Sequence, residues 1–397
     1  MRNNILILIV SIGFILFTDT LLFLLLKKYL YKKIRFLIYG LHSLLFLGGV
    51  LAYHFFIPTV KGPDFYYWIG LGIGIFFLFY IPKLIFIVLD LFSILLGLIH
   101  KKIRLAGQSI AAIIAVSCFI LILYSITWGR YNYKTELVSI CFPQLPPAFQ
   151  NFRIVQLSDL HLGSSSTHYK GIPQLVEKVN ALRPDVILFT GDMVNNFASE
   201  ITPWIGILNK MNARYGKFAV TGNHDYGNYT HWESPADKAR NYTDFLQYMK
   251  AAGFHLLNNA HYPLITGKDT IYIAGVENWG NPPFPRYGKL QKALEGVRDH
   301  FTVLMSHDPT HWRAQILDYN IPLTLSGHTH AMQLGIEIGN IKWSPSQYIY
   351  PEYDGLYEDN HRYLHVSRGQ GYLGFPGRIG LRPTISVIIL TNNCNER

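Results

Sequence analysis

Seven side chains able to hold a metal stand just beyond apolar, strand-like runs. Asp159 and His161 follow Phe152–Leu157, Asp192 follows Asp185–Thr190, and Asn223 follows Phe218–Val220. His307 follows Phe301–Met305, and His328 and His330 follow Pro322–Leu325. Carboxylate and amide oxygens suit hard divalent ions, and imidazole widens the choice to Mn, Fe, Zn, Co or Ni. Two such ions about 3.5–4 Å apart can activate a water and clamp both oxygens of an in-line displacement at phosphorus. That arrangement needs a bridging carboxylate with separate nitrogen and oxygen ligands on each side. Asp-x-His, Gly-Asp, Gly-Asn-His-Asp, a lone His and Gly-His-Thr-His supply it. Singly the pieces are ordinary: Gly191-Asp192 reads as turn chemistry, and His307 as a core or surface histidine. Five of them at five strand ends point to two metal ions and a phosphate ester.

The elements that must position these residues are legible behind them. Ile172, Leu175, Val176, Val179 and Leu182 recur at helical spacing and predict a helix from Gly171 to Arg183, stopped by Pro184. A short helix is expected near Pro203–Met211 and a longer one over Asp237–Ala252. Strands are expected near Phe254–Leu257, Tyr262–Ile265, Thr270–Val276, Arg362–Val366 and Thr384–Leu390, with a weakly alternating edge strand over Lys134–Phe142. Alternating β and α followed by mostly β predicts an α/β fold of sheets covered on their outer faces by helices.

The N-terminal third has another composition. The chain of 397 residues is 50% hydrophobic with a formal charge of +10, and its first 127 or so residues are dominated by Leu, Ile, Phe and Val. Runs over Ile5–Leu26, Phe36–Ile57, Phe65–Leu98 and Gln108–Trp128 are each long enough for a bilayer core of about 30 Å. The third is readable as one span or as two split at Pro82-Lys83. Basic clusters Lys27–Arg35 and Lys101–Arg104 flank these runs, which favours a membrane boundary over a nucleic-acid face, and no nucleic-acid partner is expected. With four spans both clusters fall on one side, and everything after Trp128 falls on the other, outside the cytoplasm. Asp19 and Asp90 lie in or near the runs, and Asp19 has no partner identifiable from sequence. The three cysteines show no CxxC spacing and suggest no framework. The organisation expected is a multi-span membrane anchor over 1–128, a linker with an edge strand over 129–150, and the chemistry-bearing domain over 151–397.

The ordered set Asp-x-His, Gly-Asp, Gly-Asn-His-Asp, His and Gly-His-x-His resembles the calcineurin-like metallophosphoesterase superfamily, over roughly residues 150–390. The resemblance implies a four-layer α/β/β/α sandwich, preceded here by the bundle of about four transmembrane helices. It also implies two divalent metal ions: Asp159, His161 and His330 on one, Asn223, His307 and His328 on the other, and Asp192 bridging both. His224 would stand beside the phosphate as acid or transition-state stabiliser, with Asp225 orienting it. Within the superfamily the chain looks most like membrane-anchored bacterial phosphohydrolases. These often carry Gly-Gly-Gln after the last histidine, where this chain has Ala331-Met332-Gln333.

A glycine-rich run holds Arg368 and Arg378, whose guanidinium groups suit phosphate and make them candidate substrate contacts. Trp343, Tyr348, Tyr350, Tyr353 and Tyr357 cluster after the metal histidines, either packing the domain or meeting lipid. His168, His255, His261 and His365 have no ligand context. The reading is a multi-pass cell-membrane phosphoesterase acting on a mono-, di- or pyrophosphate ester of a small-molecule or lipid substrate. The alternative is a non-catalytic membrane sensor or scaffold that retains the metal site.

Overall fold

The four long apolar runs are helices: α1 (Arg2–Leu25), α2 (Lys32–Phe56), α3 (Phe65–Leu96) and α4 (Lys101–Thr127). The computed structural model describes residues 2–28, 31–56, 64–167, 170–339 and 341–394, so Ile57 and His168 lie outside it. All four helices have the length and apolar composition to cross a membrane. The third run is one helix rather than two, since α3 continues through Pro82 for 32 residues, about 48 Å at 1.5 Å per residue. Asp19 does have partners. Its carboxylate pairs with Lys83, accepts from Ser43 Oγ at 2.5 Å, and lies 3.5 Å from His42 Nδ1. Helical packing, invisible to a linear reading, brings residues 64 positions apart together. Asp90 is buried and accepts from Ser93 Oγ at 3.1 Å. These helices form one unit, together with Gly374–Gly377, and most of the remaining chain forms the other.

In the second unit two six-stranded sheets lie between helices. The first has the order β1 (Lys134–Cys141), β14 (Thr384–Thr391), β2 (Phe152–Leu157), β3 (Val186–Phe189), β4 (Lys217–Ala219) and β5 (Phe254–Leu256). The second has the order β12 (Gly355–Asp359), β13 (Arg362–Val366), β9 (Leu323–Ser326), β8 (Thr302–Met305), β7 (Asp269–Gly275) and β6 (Ala260–Thr266). Strands β2 to β5 run parallel, as do β7, β8, β9 and β13. A separate hairpin pairs β10 (Ile336–Ile338) with β11 (Ile341–Trp343).

Successive strand side chains alternate between faces, and three cores record that alternation. Val155, Leu157, Ile187 and Phe189 face α5 (Gly171–Ala181), α6 (Ile205–Leu208) and α7 (Pro235–Ala251). Phe152, Ile154, Val186 and Leu188 point the other way, into a core shared with Val303, Met305, Leu323 and Leu325 of the second sheet. Leu304, Leu364 and Val366 then face α8 (Leu290–Ala293) and α9 (Thr310–Ala314). The result is the four-layer α/β/β/α sandwich. Residues 129–150, read as linker and edge strand, supply β1 and place Ile140, Phe142, Leu145 and Phe149 in the inter-sheet core. Cys141, at the end of β1, forms a disulfide with Cys394 beyond β14. The sequence suggested no such pairing, because 253 residues separate two cysteines that the parallel β1–β14 ladder makes neighbours.

Candidate active site

The loops leaving β2, β3, β4, β8 and β9 converge at the carboxyl ends of parallel strands, where α/β sheets place their sites. Tight turns bring them there. Asp159, His161, Asp192, His328 and His330 all have positive φ, between 43° and 72°, a conformation costly for residues with a Cβ and typical of functional sites. Gly191 has φ 101°, and a Cβ on it would lie 2.7 Å from His307 Nδ1. A Cβ on Gly222 would collide with Asp192 Oδ1.

The predicted ligands form two groups. Asp159, His161 and His330 make one, and Asp192, His307 and His328 the other, with the donor atoms of each within 4.8 Å of one another. In the first, His161 Nε2 and His330 Nε2 are 3.1 Å apart, and His330 Nε2 is 3.4 Å from Asp159 Oδ1. In the second, Asn223 Oδ1 lies 2.9 Å from His328 Nδ1 and 3.2 Å from His307 Nε2. Asp192 Oδ2 reaches both, at 3.2 Å from His307 Nε2 and 3.7 Å from His161 Nε2. His307 Nδ1 donates to the Thr190 carbonyl at 2.7 Å, the kind of outer contact that aims the opposite ring nitrogen at a metal.

The electrostatics suit cations. Burial drives His161 down to about 3 and His328 to about 4, and drives His330 well below the ordinary histidine range. Burial alone would raise Asp192, but His307 and His224 hold it well below the usual carboxylate range. Burial opposes a charge on His307, yet Asp192 outweighs it and pushes the imidazole up to about 10. Burial, with the like charge of Asp192 added and His307 opposing, lifts Asp159 to about 7. Packed imidazole nitrogens and buried carboxylate oxygens, converging this closely, fit two divalent ions.

His224 and Asp225 separate in role. Among the described residues the imidazole's Nδ1 partner is the Asn195 carbonyl, at 2.8 Å, and its backbone N–H donates to Asp192 Oδ1 at 2.9 Å. Asp225, expected to orient that imidazole, instead accepts four backbone N–H groups: Asp192 at 3.0 Å, Met193 at 2.8 Å, Val194 at 3.2 Å and Gly222 at 2.8 Å. It ties the β3 loop to the β4 loop. Helical or strand spacing gives no clue to such a contact.

Arg368 and Arg378 find other partners than a phosphate. Arg368 is buried, with Nε 2.9 Å from Asp354 Oδ1 and one terminal nitrogen 2.7 Å from Glu337 Oε2. One Arg378 nitrogen donates to the carbonyls of Arg368, Gly369 and Gly371. Arg368 ties the loop to the segments bearing Asp354 and Glu337, and Arg378 binds carbonyls of the loop itself.

Several contributors were not read as site residues from the sequence. Tyr350 Oη lies 3.0 Å from His328 Nε2, and Tyr229 Oη accepts from Asn223 Nδ2 at 2.9 Å with its ring 4.5 Å from that of His224. Glu200 accepts from the N–H groups of Gly163, Asn195, Asn196 and Phe197, which fixes the loop bearing the Asn195 carbonyl. The aromatic cluster divides: Tyr353 is buried and Tyr350 meets a metal-group histidine, while Tyr348 is exposed.

The family model for calcineurin-like phosphoesterase matches residues 152–332. An uncharacterized metallophosphoesterase, YkuE of Bacillus subtilis, is 31% identical over 62% of this chain and 81% of its own length. A transmembrane protein with metallophosphoesterase domain from Danio rerio is 31% identical over 71% of this chain and 62% of its own length. The Bos taurus protein of the same description is 33% identical, over 64% of this chain and 56% of its own. The chain thus spans rather more than half of these two animal relatives.

Proposed function

The chain belongs to the calcineurin-like metallophosphoesterases, and from its geometry we propose that it is a membrane-bound, metal-dependent phosphoric ester hydrolase. The observation that carries this is one atom, Asp192 Oδ2, within 3.7 Å of nitrogens in both ligand groups. Asp159, His161 and His330 would hold one cation, Asn223, His307 and His328 the other, and Asp192 both. Two divalent cations, when bound, supply Lewis acidity and lower the pKa of water to near neutrality. The chain's own residues do the rest. His224 is held through Nδ1–H by the Asn195 carbonyl, so that the ring, protonated at both nitrogens, would hand its Nε2 proton to the leaving oxygen and keep the one on Nδ1. Asp225 keeps the loops of Asp192 and His224 in register. Asn223 is fixed by Tyr229, so its carbonyl oxygen keeps one direction.

Mn²⁺-supplemented full chain, assayed on p-nitrophenyl phosphate and bis-p-nitrophenyl phosphate, tests this beside His224→Ala. A large loss in the variant is expected, and the preferred ester shows the substrate class. Equal rates in parent and variant would refute the enzyme reading in favour of a sensor or scaffold.

The same reading puts the domain outside the cytoplasm. A single α3 leaves both basic clusters on one side, and the Cys141–Cys394 disulfide suits an oxidising compartment. An alkaline phosphatase reporter after the last residue should be active, and an inactive one would reverse the orientation.

A further inference from the structure

The hairpin β10–β11 is inside out. Its register pairs Ile336 with Trp343, Glu337 with Lys342 and Ile338 with Ile341, so the four apolar residues share one face and the two charges the other. The charged face is the inner one. Glu337 pairs with Lys134 Nζ and an Arg368 terminal nitrogen, each at 2.7 Å, and Lys342 Nζ pairs with Asp354 Oδ2 at 2.7 Å. The apolar face looks outward, and its exposure rises from 47% at Ile336 and 36% at Trp343 to 71% at Ile338 and 67% at Ile341 towards the turn. Tyr348 and Ile349 extend it, at 75% and 62% exposed. Water-exposed hairpins ordinarily show the reverse polarity, and a contiguous outward apolar patch marks an interaction surface.

We propose that this face sits in the interfacial layer of a lipid bilayer, as a second membrane contact beside the four spans. Three observations favour lipid over another occupant. The chain's own helices, ending at Thr127 immediately before this unit, keep a bilayer within tether reach. The face combines Ile with Trp and Tyr, the interfacial composition, and its two charges are paired within the protein and so do not oppose insertion. The exposure gradient puts the most exposed apolar side chains, Ile338 and Ile341, at the far end of the hairpin, where insertion into lipid would start. The site is linked to it: Ser344 Oγ, just after β11, donates to the Ala331 carbonyl beside His330, and Tyr350 closes the excursion on His328. The membrane contact itself stands whether or not the site is catalytic.

The test uses the full chain with Cys118→Ser and Ile338→Cys, labelled with an environment-sensitive NBD fluorophore and reconstituted in phosphatidylcholine nanodiscs. Nitroxide-labelled phospholipid should quench most of the emission and leave a label at Ile265→Cys, on β6, unquenched. The absence of quenching at position 338 would overturn the proposal. So would equal quenching at both positions. Energy transfer between labelled chains, in place of lipid quenching, would make the face a contact between copies of the chain and overturn it too.

Discussion

Asp225 and His224 adjoin in the chain but answer to different measurements. Asp225 accepts four backbone N–H groups from two loops. Asp225→Asn sets an NH₂ group against those donors and should cost about 2–4 kcal/mol of stability, read as a lowered melting temperature in detergent. His224→Ala removes an imidazole held by the Asn195 carbonyl and the rings of Tyr229 and His161, and it should leave melting nearly unchanged. Hydrolysis should fall about 10²–10⁴-fold, the usual contribution of a positioned acid. A third residue carries a pH dependence. His365 is buried between the sheets, beside Gln156 Oε1 at 2.7 Å, and burial lowers it to about 4. The unfolded chain takes up this proton near pH 6.5, so His365 contributes full stability above that pH and loses it as pH falls towards 4. The loss approaches about 3 kcal/mol. Acid unfolding of the metal-free protein should therefore be shallower over that window in His365→Gln.

At the scale of elements, the turn after β9 bears backbone strain at five residues, His328, His330, Ala331, Met332 and Gln333, all with positive φ. Ala331 and Met332 have φ of 46° and 50°, a region that favours glycine. Ala331 has a buried methyl group packed with Tyr353 and Leu381, so replacing it by glycine trades relief against lost burial. Met332 is 40% exposed, so Met332→Gly should stabilise by about 1 kcal/mol, seen in chemical denaturation. How far the sequence foretold these elements depends on range. The candidate ligands were legible because each follows a parallel strand and the order of motifs is distinctive. The hairpin was not, since alternation in Ile336-Glu337-Ile338 tells which residues share a face but not which face is inside. Its polarity is decided by Arg368, Asp354 and Lys134, which are distant in sequence. For the same reason Arg368 read as a phosphate contact, and Asp19 as unpaired until Lys83 packed against it.

For the whole molecule, the disulfide joins the first strand of the first sheet to the segment after the last. Reduction, or Cys394→Ser, should lower stability by about 2–5 kcal/mol, measured as a shift in thermal unfolding between reduced and oxidised protein. No shift would mean that the β1–β14 ladder suffices to hold the edge. At the centre those sheets converge on, the proposed function has one carboxylate, Asp192, serve two cations. Metal content and hydrolysis measured together on the parent and on Asp192→Asn test it most directly. Two divalent ions per chain in the parent, with both the second ion and p-nitrophenyl ester hydrolysis lost in the variant, is the predicted result. An Asp192→Asn protein that keeps two ions and hydrolyses at the parent rate would contradict it.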